Sequence, residues 1–406
     1  MGGESTVASD GKGNVYVTSH LPCSLWESHD WGNTFDRTFR FADSLGDMFV
    51  YLRPPDKVNI TYIRAAINGL SSWYSVDGGV TLVKGKNVDG PLDREWVTSN
   101  AAGDLFMDYS NGYIGGPKSK GLFLAESKDD GASYRQITRV DREQPGSYAV
   151  DPYIAMLNGK RLFCMWATSQ DYDTIENFRI AYSDDNGRTF SEPNTVVEFP
   201  KDVDSRRVDD QERWMLGDIL TVGKDKVVVV YPKYEKVNVD GKDEIAFLLN
   251  YKTSFNGGKT FDTGRSVLSM DEVAVAIRSY RSGKLAEETH PYYIQTLPWL
   301  CADPHGRVYL AFTDNRAGQS RYKGTTLNKW QVRCASCDFL DKGFTWSEQV
   351  SELYDATRPA EDFLSCTADG KMLYITWTEN KNAVDDWPNA GFDLFTGALY
   401  VGRKKI

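Results

Sequence analysis

Ser183-Asp184-Asp185-Asn186-Gly187-Arg188-Thr189-Phe190 decides how the rest of the chain is read. Its form, Ser-x-Asp-x-Gly-x-Thr-aromatic, recurs at Ser28-His29-Asp30-Trp31-Gly32-Asn33-Thr34-Phe35 and at Ser127-Lys128-Asp129-Asp130-Gly131-Ala132-Ser133-Tyr134. Ser75-Val76-Asp77-Gly78-Gly79-Val80-Thr81 is another copy, and Ser254-Phe255-Asn256-Gly257-Gly258-Lys259-Thr260-Phe261 puts Asn in place of the Asp. Asp341-Lys342-Gly343-Phe344-Thr345-Trp346 keeps the second half alone. Six copies in one chain are the mark of a repeat protein.

The octet reads as a hairpin turn. Its Gly supplies the positive backbone dihedral of a tight turn, and its Asp or Asn closes a ring onto backbone amides just downstream. The aromatic that follows begins the next strand. An Asp so occupied is structural, which turns the search for chemistry away from the octets.

Three short strands precede each octet, as in Pro152-Tyr153-Ile154-Ala155, Leu162-Phe163-Cys164-Met165-Trp166 and Arg179-Ile180-Ala181-Tyr182. Repeated along the chain, this gives seven units of roughly sixty residues, each a four-stranded meander. Radial repetition of such sheets makes a β-propeller, which leaves only short, protected edges. The expected fold is therefore all-β, a seven-bladed β-propeller of four-stranded antiparallel blades, with six blades as the alternative. One domain is expected over 4–406, with 1–3 a tail. The last unit lacks an octet and is one strand short, unless residues after Gly397 supply it. Two connections are long, Glu198 to Arg213 and Ser266 to Pro298, and the second contains a helix-tolerant stretch from Met270 to Ser279. Long loops on a rigid scaffold commonly rim a binding cleft.

Composition agrees with this architecture. The 406 residues include 22 Tyr, 19 Phe, 11 Trp and 35 Gly, a mixture that suits short strands and tight turns. A net charge of −10 with no basic patch argues against a nucleic-acid partner. No apolar run reaches membrane-span length. Met1-Gly2-Gly3-Glu4 has neither the basic start nor the apolar run of a signal peptide, and a secreted or cell-surface protein whose leader has been removed is the expectation. Among the six Cys, Cys301 and Cys366 occupy similar places in neighbouring units and read as small buried thiols. Cys334 and Cys337 form a lone C-x-x-C, too little for a zinc site. No cofactor is implied, although a structural Ca²⁺ is compatible with the sequence, and oligomeric state is not legible.

In a propeller the first strands of the blades begin beside the central tunnel, on the face opposite the octets. A polar-then-aromatic pattern precedes them at Asp93-Arg94-Glu95-Trp96, Gln211-Glu212-Arg213-Trp214 and Glu361-Asp362-Phe363, and in shorter form at Asp151-Pro152-Tyr153. Thr296-Leu297-Pro298-Trp299 lacks the charge. After the second strands come His20, Arg64, Asp108-Tyr109 and Asp314-Asn315-Arg316, among others. Together they would ring one mouth with carboxylates, guanidiniums and aromatics, the groups that recognise sugars. The candidate acids, bases or nucleophiles are Asp93, Glu95, Glu212 and Asp314. The candidate substrate contacts are Arg94, Trp96, Arg213, Trp214, Arg316, Arg358, Glu361, Tyr292 and His20. Two carboxylates across a sugar would make a glycoside hydrolase. A His or Tyr base with an Arg on a uronate carboxylate would make a lyase, and the same ring without chemistry a glycan-binding module. The partner in each case is an oligosaccharide or polysaccharide.

The octets resemble the Asp-box, or bacterial neuraminidase repeat, and the whole chain resembles sialidase-like β-propeller proteins. That resemblance implies a propeller and activity on glycans. Sialidases also carry a Phe/Tyr-Arg-Ile/Leu-Pro motif ahead of the first box, and nothing of that form precedes Ser28; Leu52-Arg53-Pro54-Pro55 follows it. The resemblance therefore points to a hydrolase on a glycan other than a sialoside. Fold alone does not fix activity.

Overall fold

The computed structural model describes residues 5–20, 23–53, 56–64, 69–90, 92–110, 121–142, 148–169, 175–199, 216–285, 293–322, 325–344, 346–356, 364–379 and 398–406. Each octet does what its residues dictate. Ser183 Oγ donates to Asp185 Oδ1 at 2.7 Å and accepts from the Gly187 amide at 2.8 Å. Asp185 in turn accepts from the Thr189 amide at 2.9 Å and the Thr189 hydroxyl at 2.6 Å. The same pattern closes the turns at Ser28, Ser75, Ser127 and Ser254. At Gly258, φ is +79° and an added Cβ would lie 2.4 Å from the Phe163 ring of the neighbouring sheet, so the glycine serves both the turn and close packing.

The strands form antiparallel meanders, as the repeats require. The first sheet runs through Val7–Ser9, Val15–His20, Cys23–Ser28 and Arg37–Arg40, and the third through Asp93–Ser99, Leu105–Ser110, Leu122–Ser127 and Arg135–Arg139. The second begins at Ser44–Arg53, and the fourth comprises Tyr148–Leu157, Arg161–Ser169, Ile175–Ser183 and Asn194–Glu198. First strands touch in succession from Val7–Ser9 through Ser44–Arg53, Asp93–Ser99, Tyr148–Leu157, Asp218–Val222, Tyr293–Ala302 and Ser365–Ala368, and the last touches the first again. The ring is closed. Apolar clusters fill the spaces between successive sheets, such as Phe106, Leu124, Leu162, Cys164 and Trp166 between the third and fourth.

The number of blades differs from the expected seven or six. Among the described residues five sheets have four strands or more. The fifth and sixth repeat units are fused, because Ala246 and Phe247 pair in parallel with Tyr293 and Ile294, giving one ten-stranded sheet. The cause is length. Lys226–Val239 and Lys242–Ser254 continue well past their short first strand Asp218–Val222, so their free edge reaches the next unit. The last sheet has three strands among the described residues, and residues after Gly397 do supply its third, Ala398–Lys405.

The fused sheet also carries the helix Met270–Gly283. Ser269 and Glu272 form a reciprocal capping box at its start. Val273, Ala276, Ile277 and Tyr280 face the overshooting hairpin, packing with Val237, Val239 and Leu248. Long hairpin and helix together build up this side of the ring, on the face where first strands begin.

Candidate functional site at the mouth of the ring

Three of the polar-then-aromatic tetrads turn out to be β-bulges. The ladder slips between Asp93 and Trp96, between Val150 and Tyr153, and between Thr296 and Trp299. In each, one residue takes a left-handed backbone, Arg94 at φ 55°, Asp151 at 46° and Leu297 at 52°. None is glycine, so each costs roughly 1–2 kcal/mol. Strain of that kind persists where surrounding structure over-determines it, typically at functional sites. The outcome differs between them, since Leu297 is buried in an apolar cluster whereas Arg94 reaches charged groups of adjoining sheets.

Arg94 then spans three sheets. Its Nε is 3.3 Å from Asp151 Oδ1 on the fourth and 3.8 Å from Asp47 Oδ2 on the second. Asp47 sits at a comparable slip in its own strand, between Gly46 and Met48. Next to Asp151, Tyr153 accepts a 3.0 Å hydrogen bond from the Gly217 amide, and burial holds its phenol neutral to well above the ordinary range. The following residue, Asp218, accepts from the amides of Leu300 at 2.6 Å and Ile219 at 2.7 Å. Burial nonetheless lifts its carboxyl to about 7.

Below these charges the aromatics close the tunnel. Trp96 packs edge-on against Phe49 and Trp299, with centroids 5.3 Å apart in both cases. Trp96 and Trp299 belong to first strands that are not neighbours in the ring, so their contact crosses its centre. The ring system of Trp96, expected to face a sugar, serves here as a floor.

A second polar cluster stands at the same face of the ten-stranded sheet. Asp314, fully buried, accepts from Arg316 Nε at 2.7 Å, Gln331 Nε2 at 2.7 Å and the Tyr293 hydroxyl at 3.1 Å. Arg333 Nε stands 3.9 Å away. Burial works against the Arg316 charge, but Tyr293 and Asp314 outweigh it and raise its affinity for the proton. Burial and the nearby Arg316 act the other way on Arg333 and lower it. Two guanidiniums thus share one carboxylate. Arg316 is 18% exposed, which leaves one edge toward solvent.

The candidate residues fall into three groups. Arg94, Asp93, Glu95 and Trp96 do lie at one mouth, Asp93 half-buried at its rim and Glu95 only 1% exposed. Asp314 and Arg316 form the second cluster. Glu212, Arg213, Trp214, Arg358, Glu361 and Tyr292 lie outside the described residues, as does the side chain of His20 at the end of its strand. Sequence reasoning missed Asp47, Asp218 and Tyr293 as members of these networks. Asp47 had a signal, since Gly46-Asp47-Met48-Phe49 places an acid and an aromatic just where a first strand begins. Asp108, on the other hand, is wholly buried, and burial pushes its carboxyl well above the carboxylate range. Among the described residues no three His, Cys, Asp or Glu side chains converge as metal ligands.

No protein-family profile matches the chain, and no curated protein matches it. Solved structures do. The polysaccharide lyase Uly1 aligns over 100% of this chain and 90% of its own, at 12% identity and a TM-score of 0.54. A PL25 ulvan lyase bound to -[GlcA(1-4)Rha3S]- aligns over 90% of this chain and 87% of its own, at 9% identity and a TM-score of 0.51. The α-L-arabinofuranosidase Arb93A from Fusarium graminearum aligns over 88% and 92%, at 13% identity and 0.49. At such identities the likeness is one of fold, and it agrees with a β-propeller built of antiparallel blades.

Proposed function

We propose that this propeller acts on a polysaccharide that carries an acidic group, at the face where its first strands begin, and that it cleaves by β-elimination. The observation that carries this reading is the pair of guanidiniums, Arg316 and Arg333, around the carboxylate of Asp314. Glu272 also acts on Arg333, and Arg316, with one edge toward solvent, is the local cation that an anionic glycan would need in a chain of net charge −10. Arg316 would pair with the uronate carboxylate and make the neighbouring C–H more acidic. A base then takes that proton, a double bond forms between the two carbons as the glycosidic C–O bond on the adjacent carbon breaks, and the departing oxygen takes up a proton from solvent to leave as a hydroxyl. Tyr293 holds Arg316 and Asp314 in place and is too buried to be the base, which falls to His20 or Tyr292. The two lyases of like fold, one bound to a glucuronate-containing glycan, support this choice.

Hydrolysis is the second reading, favoured by Asp93, a half-buried carboxylate at the rim of the mouth on a strained bulge. It needs a second carboxylate on the other side of the sugar, and Glu212 and Glu361 are the candidates. We further propose that either activity stands on a sialidase-like, Asp-box scaffold, which the octet turns support, and that the protein is secreted or at the cell surface. Incubation with uronate-containing and neutral polysaccharides tests all of this. New ultraviolet-absorbing unsaturated ends support the lyase, new saturated reducing ends alone support the hydrolase, and tight binding without products makes the chain a binding module.

A further inference from the structure

The ring closes where the last sheet meets both of its neighbours, and two consecutive residues make that join. Ser365 Oγ accepts from the Val7 amide at 2.9 Å and so ties the last sheet to the first strand of the chain. Cys366, pointing the opposite way across the pleat, has its Sγ 3.1 Å from Cys301 Sγ on the ten-stranded sheet. Both sulfurs are buried, together with Leu373, Ile375 and Trp377. Neither is a disulfide in this structure. A separation of 3.1 Å is closer than two sulfurs pack by simple contact, and about 1 Å of approach brings them to bonding distance.

We propose that Cys301 and Cys366 form a disulfide that clasps the ring shut in an oxidising compartment. The residues sit 65 apart in sequence, so the bond would close a long loop of the unfolded chain. It would also reinforce the sheet that has the fewest strands among the described residues. With a low-molecular-weight disulfide as oxidant, one Cys thiolate attacks a sulfur of the reagent and expels one thiolate. The second Cys then attacks the mixed disulfide and expels the other. Two protein thiols lose two protons and two electrons, and one reagent disulfide becomes two thiols. Burial raises both cysteines above the usual thiol range, Cys366 strongly. Exchange in the folded protein is therefore slow, and the bond forms during folding and is afterwards shielded from reductant.

The experiment is refolding of the full chain with and without oxidised glutathione, followed by alkylation in denaturant and peptide mapping without reduction. The expected result is one cross-linked peptide pair joining Cys301 to Cys366, short of two hydrogens. The thermal midpoint should be higher in the oxidised protein by roughly 3–5 °C, a difference absent in Cys301→Ser and in Cys366→Ser. If the serine variants do not fold, the two redox forms of the unaltered chain decide by the same map and midpoint. Full alkylation of both cysteines after oxidative refolding would overturn the proposal. So would a bond from either cysteine to Cys334, which is buried in the same cluster.

Discussion

Asp185 and Asp218 are both aspartates that accept hydrogen bonds from backbone amides, yet the two faces of the ring drive them in opposite directions. In the octet turn Asp185 stands close to solvent. Burial is the largest single influence and raises it, but the hydrogen bonds from Thr189 and Ser183 together outweigh it and leave its carboxyl at about 2. At the mouth Asp218 also receives two amide bonds, and there burial wins and its carboxyl rises to about 7. The deciding quantity is the balance between desolvation of the charged form and the hydrogen bonds that the carboxylate accepts, which the side-chain and backbone donors of the turn win and the two amides at the junction between sheets do not. The octet face is therefore made of self-contained turns that tolerate full charge. The mouth is made of shared, partly neutral groups that bind sheets to one another.

That contrast predicts opposite pH dependences. For Asp218 the folded value lies above the unfolded one, so its contribution is greatest below about pH 4 and is lost as pH rises toward 7. The loss approaches about 4 kcal/mol as an upper bound, because each tenfold change in proton affinity is worth about 1.4 kcal/mol. Urea unfolding between pH 4 and 8 should show the decline, and Asp218→Asn should flatten it. A decline unchanged in that variant would assign the effect elsewhere, with Asp108 the next candidate.

Arg94→Ala removes the guanidinium that Asp47 and Asp151 share and should cost about 3 kcal/mol, toward the lower end of what breaking a buried pair costs. Denaturant titration at pH 7 measures it. Because Asp47 and Asp151 then lose their common cation, the loss should shrink as pH falls and they protonate. A loss independent of pH would mean that Arg94 matters for packing rather than for charge.

On the other face, Ser183→Ala deletes one octet hydroxyl with its hydrogen bonds to Asp185 and the Gly187 amide and should cost about 1–2 kcal/mol. The change is local to one turn. Glycan binding should be unaltered, whereas Arg316→Ala should weaken binding of an acidic polysaccharide and leave a neutral one untouched; calorimetry separates the two.

The smallest effect belongs to the octet carboxylates themselves. Asp30 and Asp185 are held at about 2, below their unfolded value, so their contribution is complete above about pH 4 and disappears as pH falls through 2. Asp185→Asn should remove its share, visible as a slightly shallower loss of thermal midpoint between pH 4 and 2. A steeper loss would reverse the sign and break the comparison between the faces.

Much of the fold was legible because each octet makes its bonds among eight consecutive residues. The strands before it show their alternation within five or six, and even the helix after Ser269 announced itself by composition. The mouth was legible as a location, since first strands begin there in any propeller. Its chemistry was not. Asp93-Arg94-Glu95-Trp96 read as a set of groups offered to a substrate, whereas Arg94 is drawn to Asp47 and Asp151, and Trp96 to Phe49 and Trp299. Those partners come from other repeat units, and no pattern within one unit names them.

The sequence by itself therefore determined the meander, the turns and the face on which the turns lie, because local hydrogen bonds and backbone dihedrals set them. Only the tertiary structure decided how many sheets stand apart. That depended on a hairpin long enough for Ala246 and Phe247 to reach Tyr293 and Ile294. The same holds for which charges at the mouth are neutralised, left over or neutral, because desolvation and pairing arise between sheets and not within them.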